Sequence, residues 1–328
     1  MGFPLVNINE LLGTYRSDIE KVEAEILGHL NSEIPLINEL GKYILDAGGK
    51  RLRPVLAVLS ARLFGAPGDA IYKAAGALEF LHTATLLHDD VVDEADTRRA
   101  RKAARQLWGN PASVLVGDYL LATAFRSLTL LGNLHVLETI SEATGKMAKG
   151  EILQLLRSYD TASEQDYLDI IINKTACLFA AAAKIGGLFG GASPAQQEAL
   201  YAFGNDLGIA FQIVDDALDY VEDRSKIGKP LGIDLKEKKV TLPLSRLVHV
   251  ARGAELEKLQ AILRRDAVSD DDVLEVMRMM QAHDVLPYTL AEARKIVRRG
   301  QAHLTALPNA IEREHMRQLA DYVVEREF

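Results

Sequence analysis

An all-α fold is predicted by three observations. Apolar residues recur at helical spacing along most of the chain, no stretch alternates as a strand should, and two acidic pentapeptides sit in apolar, helix-forming surroundings. Apart from those pentapeptides there is no internal repeat and no low-complexity tract, so a solenoid is not expected.

In chain order, apolar stripes with polar backs predict helices over residues 8–30, 34–46, 54–64, 69–94, 112–131 and 134–156. The second half continues with 164–186, 194–220, 242–251, 255–265, 270–283, 285–304 and 312–327. The breaks carry turn and cap chemistry: Asn31, Gly48-Gly49, Gly65-Ala66-Pro67-Gly68, Gly109-Asn110-Pro111, Gly132-Asn133, residues 190–194 and 228–232, and Pro308-Asn309. The longest polar connection, 222–239, carries both charge signs and reads as a loop rather than a domain linker, so residues 1–328 are expected to form one domain.

With 328 residues, 48% hydrophobic and 26% charged, the chain can bury a large core. A net charge of −8 argues against nucleic-acid binding, although local basic clusters can still capture a small anion. A single cysteine, Cys177, excludes an intramolecular disulfide and fits a cytoplasmic location. Residues 1–20 show no signal peptide, and the apolar run from Ala176 is broken by Lys184 before it could span a bilayer.

The chemistry centres on Asp89-Asp90-Val91-Val92-Asp93 and Asp215-Asp216-Ala217-Leu218-Asp219. Helical spacing puts Asp89 and Asp93 on one face, and Asp215, Asp216 and Asp219 on another. Like charges so spaced destabilise a helix by roughly 0.2–0.5 kcal/mol per pair, and burial adds to the cost. A hard divalent cation with oxygen ligands removes both penalties. Basic residues surround the motifs: Lys50, Arg51 and Arg53 after Gly48-Gly49, then Arg98-Arg99, Lys174, Lys229 and Lys239. Cations beside a carboxylate site point to a phosphorylated substrate, and magnesium is usually held by one or two carboxylates plus substrate phosphates. Magnesium and a diphosphate are therefore expected.

His82 precedes Asp89 by seven residues and Asp93 by eleven, which returns it to within about 20° of the same helix face. Gln212 shares a face with Asp215 and Asp219 in the same way. Lys174-Thr175 opens a largely apolar stretch, where an inward lysine is costly unless paired and an exposed one is the plain alternative. Glu94, Asp96 and Asp223 are read as solvated helix-end acids.

Taken in order, GGKRLRP, LEFLHTATLLHDDVVDEADTRR, GNPASVLVGDYLLATAF, NKTA, GIAFQIVDDALDY and GKPLGIDLKEKKVTLPL, spread over residues 45–244, closely resemble the trans-type polyprenyl diphosphate synthases. The resemblance is strongest to their long-chain, octaprenyl-like members. It implies an antiparallel helix bundle around a deep cavity, with the aspartate motifs facing each other through magnesium. Carried over by position, Asp89, Asp93 and Asp215 are the expected metal ligands. Arg98, Lys174, Gln212, Lys229 and Lys239 would hold the allylic diphosphate, Lys50, Arg53, His82 and Arg99 the isopentenyl diphosphate, and Thr175 would lie beside the developing cation. The implied reaction ionises the allylic carbon–oxygen bond, joins the cation to the isopentenyl double bond, and loses a proton to give a trans alkene. A homodimer is implied, with residues 112–131 as its interface helix, as is transient membrane contact for product release.

Chain length, by the same resemblance, is set at Ala84 and Thr85, about 6–8 Å of helix rise before Asp89. Both are small where short-chain members carry aromatics, so the cavity should deepen towards Leu81 and Phe125 and admit a product of about C40. Two departures stand out: Gly232-Ile233-Asp234 replaces Gly-Asp-Asp, and Glu237-Lys238-Lys239 replaces Glu-Gly-Lys. The alternatives are a farnesyl- or geranylgeranyl-length synthase, a terpene cyclase, a non-catalytic prenyl-diphosphate-binding subunit, or a di-iron bundle. The last rests on the Glu-x-x-His pairs Glu79/His82 and Glu312/His315.

Overall fold

The computed structural model describes residues 8–30, 32–46, 48–49, 51–65, 68–99, 101–157, 163–221 and 231–325. Lys50, Lys229 and Asp223 therefore lie outside the described residues. The chain folds as helices α1 (Ile8–Thr14), α2 (Arg16–His29), α3 (Pro35–Asp46), α4 (Leu52–Arg62) and α5 (Asp69–Val92). A hairpin, β1 (Thr97–Arg98) and β2 (Arg101–Lys102), leads to α6 (Ala104–Trp108), α7 (Asn110–Leu130) and α8 (Leu134–Leu156). Next come α9 (Glu164–Ile171), a π-helical turn (Ile172–Ala176), α10 (Cys177–Gly190) and α11 (Pro194–Leu218). The C-terminal part holds α12 (Ile233–Lys236), α13 (Leu242–Val250), α14 (Gly253–Leu263), α15 (Asp270–Ala282), α16 (Val285–His303) and α17 (Ile311–Glu325).

Helix starts are chemically marked. Ser163, Ser193 and Ser269 each form a reciprocal capping box with Asp166, Gln196 and Asp272, and Asn133 caps α8 from its side chain. At the centre runs α10, whose Ala180 to Ala183 are fully buried between α4, α8 and α11. Small residues let backbones meet there: a Cβ on Gly186 would stand 2.1 Å from the Ala57 carbonyl oxygen, so any side chain would push α10 off α4. The main core gathers α2 to α11 with parts of α16 and α17, while Leu244, Leu247, Leu259, Val276 and Met280 belong to a second cluster in the C-terminal helices. Helix α16 packs against α11 as well as α13 and α15.

Four local expectations are corrected. The helix expected over 8–30 breaks at Tyr15, which is buried with its hydroxyl 2.6 Å from His315 Nδ1, so docking against α17 overrides periodicity. The single helix expected over 164–186 is two helices joined by the π turn, and runs on to Gly190. Two short helices, α6 and α12, arise where loops were expected. Finally, a strand pair does occur, with Thr97 opposite Lys102 and Arg98 opposite Arg101; at two residues a side it is too short for alternation to reveal.

Candidate active site

Both aspartate motifs end long helices, the first on α5 and the second on α11. Two bridges bring them together.

The first is the π turn. Its Cys177 N–H bonds back to the Ile172 carbonyl, five residues earlier, which widens the turn and presents Lys174 and Thr175 inward. Gly150 on α8 makes room, since a Cβ there would meet the Lys174 nitrogen at 2.4 Å. Lys174 Nζ lies 2.5 Å from Glu151, 3.3 Å from Gln154 and 3.8 Å from Asp89, so it is an inward, paired lysine. Thr175 donates to Gln212 Oε1 at 2.9 Å, and Gln212 Nε2 donates to Asp216 at 2.7 Å. The polar contact of Gln212 within α11 is thus with Asp216, one turn on, while Asp215 faces solvent.

The second bridge is the segment around α12. Asp219 accepts from the Asp234 backbone N–H at 2.9 Å, the Lys239 N–H bonds the Asp234 carbonyl at 2.9 Å, and Lys239 Nζ reaches Asp93 at 3.1 Å. Lys239 also touches Glu237 at 2.5 Å, and these carboxylates raise its pKa despite burial. The replaced acidic position Ile233 leaves Asp234 as the carboxylate that enters the cluster.

This end of the molecule is overloaded with negative charge. Burial pushes the Asp89 carboxyl from 3.8 up to about 6, against the pull of Lys174, and Asp216 up to about 7, against the hydrogen bonds from Tyr167 and Gln212. Asp234 is raised well above its ordinary value by burial and by Asp219 and Asp216. Buried Asp90 pairs with Arg98 through one oxygen, at 2.6 Å and 2.7 Å, while its Oδ2 has no hydrogen-bond partner. Among the described residues, no three carboxylate or imidazole groups converge closely enough to enclose a metal ion alone. Desolvated carboxylates with spare oxygens and too few ligands for a closed cage fit a cation that completes its shell with phosphate oxygens and water.

Beside this region lies a basic cluster. Arg51 and Arg99 adopt left-handed φ values of 49° and 50°, a conformation uncommon outside glycine and often found at functional sites. The hairpin turns Arg98 onto Asp90 and brings Arg99 against Gly49. Arg105 on α6 fixes the approach to the hairpin by donating to the Glu94 and Ala95 carbonyls at 2.6 Å and 3.1 Å. Arg53 stacks over the Phe179 ring, 4.4 Å from its centroid, and burial lowers its pKa to about 10. His82 is held well below its ordinary pKa by burial and by Arg53, Arg99, Arg98 and Arg51, and is therefore a neutral imidazole. Buried Glu79 forms an ion pair with Arg51 and is the carboxylate that raises the pKa of Arg53 and Arg99. A cluster of guanidiniums that disfavour one another's charge has the chemistry to take an anion.

The di-iron pairing does not assemble, because Glu79 is spent on Arg51 and His315 on Tyr15. Glu151, Gln154 and Tyr167 escaped the sequence reading as site residues, while Glu79 entered it only through the di-iron alternative and Asp234 only as part of the altered loop. Tyr167 carried a usable signal, since it precedes Lys174 by seven residues and at helical spacing would share its face.

On α5, His88 sits over Gly117 and 3.4 Å from Asp118, fixing α7 alongside in the opposite direction. Ala84 and Leu81, one and two turns back along α5, are buried; with His88 at Gly117 and His29 touching both Phe80 and Ser127, this stretch of α5 runs beside residues 117–127 of α7, which include Leu121 and Phe125. Thr85 donates to the His82 carbonyl at 2.8 Å.

An all-α bundle that opposes two aspartate motifs beside an arginine cluster has the architecture of an isoprenoid synthase. The chain belongs to the polyprenyl synthetase family, whose model matches residues 34–280. It is 43% identical to octaprenyl diphosphate synthase of Escherichia coli over 98% of this chain and 99% of that protein. Its fold is similar to a decaprenyl diphosphate synthase of Rhodobacter capsulatus, at 42% identity and TM-score 0.92 over 97% of this chain and 99% of that one. A polyprenyl synthase of Caulobacter crescentus, solved with calcium and isoprenyl diphosphate, aligns with TM-score 0.94 and 38% identity over 99% of each chain.

Proposed function

We propose that this chain is a long-chain trans-polyprenyl diphosphate synthase, which adds isopentenyl diphosphate repeatedly to an allylic diphosphate primer to give a product of about C40. The observation that carries this reading is the double bridge: Lys174 with Thr175, and Lys239 with Asp234, join Asp89 and Asp93 to the second motif, beside a cluster of four arginines. Full-length similarity to octaprenyl and decaprenyl diphosphate synthases supports the long product.

Asp89, Asp93 and Asp215 are assigned to magnesium, which would neutralise charge developing on the departing diphosphate. Lys174, Gln212, Lys239, Arg98 and Lys229 are assigned to that diphosphate. Arg98 pairs with Asp90, so a diphosphate held by Arg98 shares this partner or replaces it. Arg53, Arg99, His82 and Lys50 are assigned to isopentenyl diphosphate; the neutral imidazole donates a hydrogen bond without adding a further positive charge. Fixed donors aimed at the leaving group favour the transition state over the ground state, because charge separates only as the carbon–oxygen bond breaks. Thr175, buried in the π turn that precedes α10, is assigned to the new cation.

Residues 1–328 are read as one isoprenoid-synthase unit, since α16 ties the C-terminal cluster to α11. Exposed Leu115, Leu130 and Leu134 on α7 and α8 give a second copy an apolar face to cover, which supports a homodimer. Among the described residues no helix is long and apolar enough to cross a membrane; cytoplasmic residence with transient membrane contact at product release is part of the proposal. The test is incubation of the purified chain with labelled isopentenyl diphosphate, farnesyl diphosphate and magnesium. A ladder ending near C40 is expected, and failure to consume isopentenyl diphosphate overturns the assignment.

A further inference from the structure

The Asp216 carboxylate is buried, and both its oxygens are occupied by donors from different helices. The Tyr167 hydroxyl, fully enclosed on α9, donates to Oδ2 at 2.6 Å, and the Gln212 amide nitrogen donates to Oδ1 at 2.7 Å. Both Asp216 oxygens accept here, Oδ2 from the phenol and Oδ1 from the amide nitrogen, so the Gln212 amide is oriented with its nitrogen towards Asp216 and its oxygen away from it. That oxygen is where the Thr175 hydroxyl donates, at 2.9 Å. A threonine hydroxyl has a single proton, and here it is committed. What remains on Thr175 Oγ1 is lone-pair density.

We propose that Tyr167 is a positioning residue that acts through Asp216 and Gln212 to fix the direction of the Thr175 hydroxyl, so that its oxygen, and not its proton, faces the allylic cation. This rests on the synthase reading above and adds to it a residue that touches neither substrate nor metal. The polarity matters because an oxygen lone pair stabilises a neighbouring cation, whereas a hydroxyl dipole turned the other way opposes it. The phenol is what makes the relay rigid. Without it, Asp216 has one buried oxygen unpaired and is free to turn about its side-chain torsion, so the amide above it loses its fixed direction.

The test is a double-mutant cycle in Tyr167→Phe and Thr175→Ala, read as single-turnover condensation of farnesyl and isopentenyl diphosphates with magnesium. Tyr167→Phe alone should lower the condensation rate and kcat about tenfold and leave KM for isopentenyl diphosphate within about twofold. In the Thr175→Ala background the same change should cost less than about twofold, because the group being aimed is already gone. Additive losses in the two backgrounds, a change in KM in place of kcat, or full activity of Tyr167→Phe each overturn the proposal. Should Tyr167→Phe fail to fold, Gln212→Met cuts the same relay one link later and must also be sub-additive with Thr175→Ala; additivity overturns the proposal there too. Absence of condensation by the unaltered chain would instead refute the functional reading itself.

Discussion

Glu79 shows how one side chain can serve an anion site without touching the anion. It lies among Arg51, Arg53 and Arg99, pairs with the first, and opposes the lowering of pKa that burial imposes on the other two, so the pocket has a counterion of its own. Breaking a buried ion pair from one side is expected to cost about 3 kcal/mol or more, since it leaves the remaining charge unpaired. Glu79→Gln should therefore lower the thermal midpoint, and inorganic pyrophosphate should restore more of the loss than it adds to the unaltered chain. Equal pyrophosphate shifts in thermal scans of the two proteins would count against this account. Asp89 is the opposite case, a carboxylate that the fold tolerates at a cost. Asp89→Asn should abolish turnover yet raise the metal-free melting temperature by a few degrees at about pH 8, because it removes a desolvated charge whose nearest cation is 3.8 Å away. Loss of both activity and stability would show that Asp89 serves the fold.

Helix α5 combines three functions by position along one axis. Its C-terminal turn carries Asp89 and Asp93, the turns before that carry His82 and Glu79 towards the arginines, and the buried face between them carries Ala84 and Leu81 level with α7. A larger side chain at Ala84 must therefore displace whatever occupies the space between α5 and α7. Ala84→Phe is expected to shorten the product without abolishing the first condensations, which chain-length analysis by reversed-phase chromatography would read directly; an unchanged product would place the floor elsewhere. The π turn is the corresponding device on the facing side. One extra residue in the turn, admitted by Gly150, converts what periodicity reads as a continuous apolar helix into a site that points Lys174 and Thr175 at both motifs.

Across the whole molecule, the acidic end sets an unusual dependence of stability on pH. Asp89 and Asp216 hold their protons to about 6 and about 7 in the folded chain, against an ordinary value of 3.8. Between roughly pH 7 and 4 the folded chain thus binds more protons than the unfolded one, and the metal-free fold gains stability as pH falls through that window. Paired carboxylates, whose pKa values are depressed, give the reverse. Chemical denaturation in the presence of a chelator should show this rise on acidification, and magnesium with pyrophosphate should stabilise more at about pH 8 than at about pH 5. A chelated protein that steadily loses stability from pH 7 down to 5 would contradict it.

Much of this was legible in the sequence, and the reasons are physical. The helix period is a local property, so nearly every long helix, and the face carrying Asp89 and Asp93, follows from spacing within a few turns. Cap chemistry is local as well, and the helices after Ser163, Ser193 and Ser269 begin at 164, 194 and 270, where periodicity placed them. Pairing across helices is not local. Nothing near Glu151 marks it as the partner of Lys174, and nothing near Tyr167 except its spacing from Lys174 connects it to Asp216 on α11. Nor does the repeated pentapeptide itself show that Asp216 is enclosed while Asp215 meets solvent, because burial depends on what packs against α11. The sequence by itself determined the helical class, the family and the acidic and basic residue types, all encoded by short-range period and motif. Only tertiary packing decided which carboxylate takes which cation, where a helix yields to a π turn, and which way a threonine hydroxyl points, because those outcomes depend on contacts between residues far apart in the chain.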